Sequence, residues 1–187
     1  MTMSHRVARR SLIAAGLALA AMPRAAAAKT RAEINRGADD ALARLFRADP
    51  DARALAGRAV GVLIFPEVVK AGLMIGGEYG EGVLREGRNT VGYYRLTTAS
   101  YGLQAGAQRY SYVMMLMTPE ARRYIDRSDG WEVGTGPSVV LMDKGMAKRM
   151  TSTTVTQDVL AFVFGQSGIM GGIGLQGSKI SRFQPSR

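Results

Sequence analysis

The stretch VGVLIFPEVVKAGLMIGGEYGEGVL, Val60 to Leu84, decides the fold. Its first part, with Ala59, is a compact apolar run that Pro66 ends, and the part from Val68 onward mixes aliphatic residues with glycine. This texture is that of β-strands rather than of a helix. From Ala71 on, Gly72, Gly76, Gly80 and Gly82 share one parity, and Leu73, Ile75, Tyr79 and Val83 share the other. Because successive strand residues point to opposite faces, the glycines mark one side-chain-poor face. Glycine weakens a strand, so its repetition on one face implies close backbone approach or a sharp bend. Two readings follow: a helix or second sheet packs against that face, or the face is a shallow apolar groove that takes a lipid chain.

Downstream, Arg85 to Asn89 (REGRN) reads as a hairpin loop turning at Gly87. Further strands are expected over Thr90 to Leu96, Ser100 to Gln108, Arg109 to Met117, Ser138 to Met142, Val159 to Phe164 and Met170 to Ile180. Thr118-Pro119-Glu120 supplies an N-cap, a proline at the first helical position and an early acid, which predicts a helix of about nine residues before Ser128-Asp129-Gly130. Upstream, Ile34, Ala38, Ala41, Leu42, Leu45 and Phe46 fall at helical spacing, with Arg31, Asp39, Asp40, Arg44 and Arg47 on the opposite face. Lys29 to Arg47 is therefore an amphipathic helix, and Asp49-Pro50 starts a second short helix through Ala56. The expected class is α+β: Gly-rich, mostly antiparallel sheet with an N-terminal amphipathic helix and a short helix near 119–127. An outer-membrane barrel of eight short strands would fit the chain length, but the two helical segments and an export signal for folded proteins argue against it.

The first 28 residues have a different character. HRVARR (His5 to Arg10) is basic, LIAAGLALAAM (Leu12 to Met22) is apolar, and Ala25 to Ala28 offers small-residue cleavage sites, after Ala27 or Ala28. This is the pattern of an export signal, and its apolar run is well short of the roughly 20 residues a spanning helix needs. Arg9-Arg10 before Ser11-Leu12-Ile13 reads as a twin-arginine signal, with an ordinary secretory signal as the alternative. Either way the expected location is the periplasm, with residues 29–187 forming one domain.

Composition narrows the chemistry. With 47% hydrophobic and 21% charged residues among 187, the chain is globular. Of its 25 Lys and Arg, four lie in the leader, which leaves 21 against 15 acids. There is no Cys, and the single histidine, His5, is in the leader. That excludes disulfides, thiolate or imidazole metal sites, a Cys/His pair and a Ser-His-Asp triad in the processed chain. Carboxylate pairs such as Glu78/Glu81 and Asp126/Asp129, and Asp158 after Thr151 to Thr156, are the remaining raw material for catalysis, and surface solvation explains them equally well. The expectation is a non-catalytic protein with no cofactor and no metal. Gly172 to Gly177 (GIGLQG) matches G-x-G-x-x-G but lacks the following helix, strand and acid of a dinucleotide site. The bases are scattered among acids, so no nucleic-acid partner is expected.

Two basic features stand out. MDKGMAKRM (Met142 to Met150) places Met142, Met146 and Met150 at helical spacing with Lys144, Lys148 and Arg149 among them, the character of a membrane-surface segment. The alternative is that the methionines fill core gaps and the bases are solvated. Lys70, beside Val68-Val69, and Arg58 are the second candidates for a phosphate or carboxylate ligand.

The Val60–Leu84 block, with YGLQAGAQ (Tyr101 to Gln108) and GIGLQGSKI (Gly172 to Ile180), resembles the SYLF domain family across roughly Ala54 to Ser181. Its specific part is F-P-x-V-x-K-A-G followed by G-G-x-Y-G-x-G. The resemblance implies a domain without assigned catalysis that binds phospholipids, phosphoinositides in eukaryotes, through basic residues and an N-terminal amphipathic helix; eukaryotic members are also described as actin-regulating. Lys70 occupies the lysine of the block, and Lys29 to Arg47 is the helix available for that role. The leader sets this chain apart from actin and phosphoinositides. The expected partner is an anionic phospholipid surface, contacted by Lys70, Arg58, Lys144, Lys148 and Arg149, with a protein partner in the cell envelope as the alternative.

Overall fold

The computed structural model describes residues 28–127, 130–133, 135–142, 147, 157–169 and 178–187. Thr30 caps the first helix, α1 (Arg31–Ala48), through a capping box in which Thr30 and Glu33 satisfy each other's backbone N–H groups. Asp49 closes α1 and caps α2 (Pro50–Arg58), accepting from Asp51 N and Ala52 N, with Pro50 at the first position. No helix among the described residues is long and apolar enough to cross a membrane.

A hairpin of two long strands follows, β1 (Gly61–Glu86) and β2 (Asn89–Leu116), turning at Gly87 with φ +58°. The three segments expected between Thr90 and Met117 are thus one strand, because β1 offers an antiparallel partner along the whole length. Pro66 does not end its strand. It sits where the register shifts between Phe65 and Val68, a bulge in which a residue without an N–H is tolerated. Beyond β2 come α3 (Pro119–Tyr124), β3 (Trp131–Glu132), β4 (Val139–Leu141), β5 (Val159–Ile169) and β6 (Lys179–Phe183). α3 has six residues rather than the nine expected. The sheet runs β3-β6-β2-β5-β4 with β1 on the other side of β2. β6 pairs with β2 over Tyr93–Thr97 and β5 pairs with it over Ala107–Leu116, so each half of the hairpin carries its own extension. All pairings are antiparallel except β4 with β5.

A straight strand of this length would extend about 85 Å. Instead β1 doubles back. Lys70 and Glu78, about 26 Å apart on an extended strand, meet within 3.3 Å. The two halves of the curled hairpin enclose one core, with Leu63, Phe65, Leu84, Tyr94, Tyr112 and Trp131 fully buried. The alternate residues Ile64, Val83, Val113, Met115 and Leu160 face outward beneath α1 and α2, against Ile34, Ala38, Ala41, Leu45 and Leu55. The hairpin is therefore apolar on both faces, which is why its sequence lacks clean alternation of apolar and polar residues.

Two of the patterned glycines explain the fold-back. A Cβ on Gly82 would lie 2.5 Å from the Ile64 carbonyl oxygen and 2.6 Å from the Phe65 ring, and one on Gly80 would lie 2.9 Å from the Val68 side chain. At these positions the glycine face meets the first half of its own strand rather than opening as a groove.

Charged groups bolt α3 to the hairpin. Arg122 reaches Glu86 at 2.5 Å and Asp126 at 2.6 Å, while Asp126 also accepts from the Tyr94 hydroxyl and lies 3.6 Å from Arg182. Burial works to raise the pKa of Asp126, but the bonds from Arg122 and Tyr94 and the Arg122 and Arg182 charges outweigh it and hold it below the usual carboxylate value.

Gly82→Ala should lower the thermal midpoint by several degrees, whereas Gly57→Ala, on α2 with nothing within 4 Å of the added carbon, should be neutral or stabilise by about 0.5 kcal/mol. Differential scanning calorimetry on both variants checks the contrast. A depressed carboxylate pKa contributes stability above the unfolded value near 4 that is lost as pH falls through the folded value. Asp126→Asn should therefore cost about 1 kcal/mol at pH 7, and urea titrations at decreasing pH should show its deficit relative to the parent shrinking below about pH 4.

Candidate functional site

Lys70 and Glu78 stand on opposite sides of the Gly-rich bend of β1, Lys70 across from Gln108 and Glu78 across from Thr98 on β2. Their side chains are 8% and 2% exposed. The Tyr110 hydroxyl donates to Glu78 Oε2 at 2.9 Å. Burial, then the Glu78 charge and hydrogen bond, push the Tyr110 phenol far above its ordinary pKa, and burial followed by Glu78 does the same to Tyr112. Both phenols stay protonated, so Tyr110 remains a donor to Glu78. The Tyr112 hydroxyl is buried without a hydrogen-bond partner, as is Gln108 Oε1. A cation, an anion and a donor converge here on one another. Lys70, expected as a surface ligand for a headgroup, is an interior residue whose ammonium balances Glu78.

The expected carboxylate pair Glu78/Glu81 does not converge. The two residues have opposite parity along a regular stretch of β1 and separate donors, Tyr110 for Glu78 and Tyr79 for Glu81. Asp158 accepts from Ser138 and Thr118 and ties the start of β4 to the start of α3. Those two Ser138 bonds, backbone first, lower its pKa. Asp129, Thr151 to Thr156 and the Gly172–Gly177 motif lie outside the described residues.

The helical layer carries the exposed charge. The apolar face of α1 is spent on the sheet, so the amphipathic pattern read from Lys29 to Arg47 describes an internal contact. Its outer face and that of α2 present Arg36, Arg44, Arg47, Arg53 and Arg58, all exposed. None of them forms an ion pair with another described residue. Arg44 instead donates to Ser111 Oγ at 3.1 Å, and the Arg53 guanidinium lies 4.9 Å from the Phe46 ring centroid. The acids of the same helices are largely committed. Glu33 closes the capping box, Asp39 pairs with Arg85 and Asp49 caps α2, leaving Asp40 and Asp51.

Arg58, a candidate ligand from the sequence, lies on this surface, and Arg44 and Arg47 belong to the polar face of the amphipathic pattern. The missed signal was available. Once the Thr-x-x-Glu and Asp-Pro capping motifs are recognised, their acids no longer count against the arginines.

Lys144, Lys148 and Arg149 lie outside the described residues, as do Met146 and Met150. Their neighbours do not: Met142 and Ala147 are both buried in the core beneath α1 and α2, beside Leu45 and Ala52. A shallow apolar depression lined by Leu45, Ala48, Met142, Phe162 and Phe164 opens next to them.

Among models of protein families, the one described as "Ysc84: Las17-binding protein actin regulator" matches residues 97–185, from within β2 to just past β6. No curated protein matches this chain.

Removing one partner of a buried ion pair leaves an uncompensated charge. Glu78→Gln and Lys70→Met should each destabilise by about 3 kcal/mol or more, and the double variant by less than the sum. A double-mutant cycle in urea reads this directly; additivity would mean that the pair does not hold the bend.

Proposed function

We propose, starting from the match of residues 97–185 to the Ysc84 family model, that this chain is a non-catalytic, exported module that binds anionic phospholipid at a membrane surface. The observation that carries the reading is the set of exposed arginines on α1 and α2 without acidic partners among the described residues. Guanidinium groups match phosphate geometry and bind it with charge-assisted hydrogen bonds. Each basic residue near an anionic bilayer contributes about 1 kcal/mol, so several on one face suffice for reversible attachment. Lys70, paired inside the fold, has a supporting part. The actin regulation named in the family's description is carried as that family's label, because the Arg9-Arg10 leader directs this chain to the periplasm.

A second reading, a protein-interaction module of the envelope, is favoured by Leu141, which is 48% exposed on β4, at one edge of the sheet that the described residues form. An apolar side chain on a sheet edge suits a partner that adds to that edge.

Co-sedimentation of the processed protein with liposomes separates the two. Binding to phosphatidylcholine vesicles that contain phosphatidylglycerol or cardiolipin, absent with phosphatidylcholine alone and lost between about 50 and 500 mM salt, is expected. Replacing Arg47, Arg53 and Arg58 by Gln, or Lys144, Lys148 and Arg149 by Gln, should weaken it at least several-fold. Salt-insensitive binding would remove the headgroup role. No binding, together with one stoichiometric envelope protein in pull-downs, would favour the second reading.

A further inference from the structure

Glu81 is a second buried carboxylate of β1, and no cationic group among the described residues donates a hydrogen bond to it. Its side chain is 4% exposed, and the nearest cationic nitrogen among its ion pairs, Arg95 Nη2, is 3.9 Å away. The Arg95 guanidinium is engaged elsewhere, 4.6 Å from the Phe183 ring centroid and 5.6 Å from that of Tyr79. The close donors are neutral: the Tyr79 hydroxyl at 2.7 Å on Oε1, and the backbone nitrogen of Lys29 at 3.1 Å on Oε2. A carboxylate removed from water ordinarily has a cation in hydrogen-bond contact.

Lys29 is the residue that would become the N-terminus if the leader were removed after Ala28. Ala26 and Ala28 then fill the two small-residue positions of the cleavage site. Lys29 is held in place from both directions. Thr30 bridges to Ser186, Arg31 N donates to Ser186 O at 3.2 Å, and Lys29 Nζ reaches Glu67 Oε1 at 3.4 Å. Ala28 itself is exposed, and with Lys29, Glu67, Val69, Tyr79 and Glu81 it lines a small cleft.

We infer that Glu81 is a docking site for the α-ammonium group created when a peptidase cuts the Ala28–Lys29 bond, so that processing of the leader completes the fold with an ion pair the precursor cannot form. In that cut, water adds across the amide: Ala28 departs with the leader as a carboxylate, and the Lys29 nitrogen takes up protons to become an ammonium. The nitrogen that donates one neutral N–H to Glu81 in the precursor then donates a charged one at the same place. Cleavage after Ala27, equally allowed by the sequence, would set the ammonium one residue away and leave Lys29 N an amide. The inference rests on the reading that the chain is exported and processed. The charged and titratable groups around the new terminus are Glu81, Tyr79 and Glu67 of β1, Arg95 and Arg109 of β2, Glu33 of α1 and the Lys29 side-chain ammonium.

The test begins with the full chain expressed in an exporting bacterium, followed by intact mass and N-terminal sequencing. A chain starting at Lys29 is expected. A start at Ala28 or elsewhere, or an uncut chain recovered from the periplasm, overturns the docking while leaving export intact, and an uncut chain found only in the cytoplasm overturns both.

Docking is then read on the processed protein by acetic anhydride labelling at pH 8. The α-amine in the native state should react about tenfold more slowly than in urea, because pairing keeps it protonated and covered. Equal rates would overturn the proposal. Glu81→Gln should restore fast labelling; if that variant does not fold, the native-against-urea comparison stands alone. An amine whose pKa is raised by folding contributes stability below the unfolded value near 8 and loses it as pH rises through the folded value. The parent should accordingly lose about 3 °C more than Glu81→Gln in thermal midpoint between pH 7 and pH 10.

Discussion

The fold-back of β1 on itself is the constraint from which the rest of the structure follows. A strand can lie against its own continuation only where neither half carries a side chain into the other. Gly82 and Gly80 meet that condition against Ile64, Phe65 and Val68. The close approach brings Lys70 to Glu78, and the ion pair so formed is shielded enough that neither member can be removed cheaply. With the hairpin curled, β2 has one side free at each half, which β6 and β5 take up.

Burial on both faces of the hairpin dictates what the helices do. Outward-facing Ile64, Val83, Val113 and Met115 need a cover, and the apolar stripe of α1 supplies it. The helix is consequently a structural layer whose exposed side is polar, and its charge balance is shifted by capping. Three acids are committed to local backbone or to Arg85, so the arginines dominate the surface. The basic character of the molecule is thus localised by helix-end chemistry as much as by composition.

Phosphate-rich surfaces select for guanidinium groups that are exposed and unpaired, and the helical layer offers them on a rigid base. Buried charge is used differently, at Lys70–Glu78 to hold the bend and at Glu81 beside the start of α1. The same residue types therefore divide into structural and surface roles according to the side of β1 or of the helical layer on which they fall.

Local and periodic features were legible in the sequence. Thr30 and Glu33, Asp49-Pro50, Thr118-Pro119 and Gly87 each announce a cap or a turn whose physics is complete within four residues. The α+β class and the SYLF resemblance were legible too, because the F-P-x-V-x-K-A-G block and its glycine ladder are contiguous. Tertiary structure alone decided that the ladder faces its own strand, that Pro66 sits inside that strand at a bulge, and that segments resembling three strands are one. It also turned Lys70 from a surface candidate into a buried partner of Glu78. A lysine on a strand has the same local sequence whether its face meets water or a carboxylate eight residues away, and only the bend, a property of the whole hairpin, distinguishes the two.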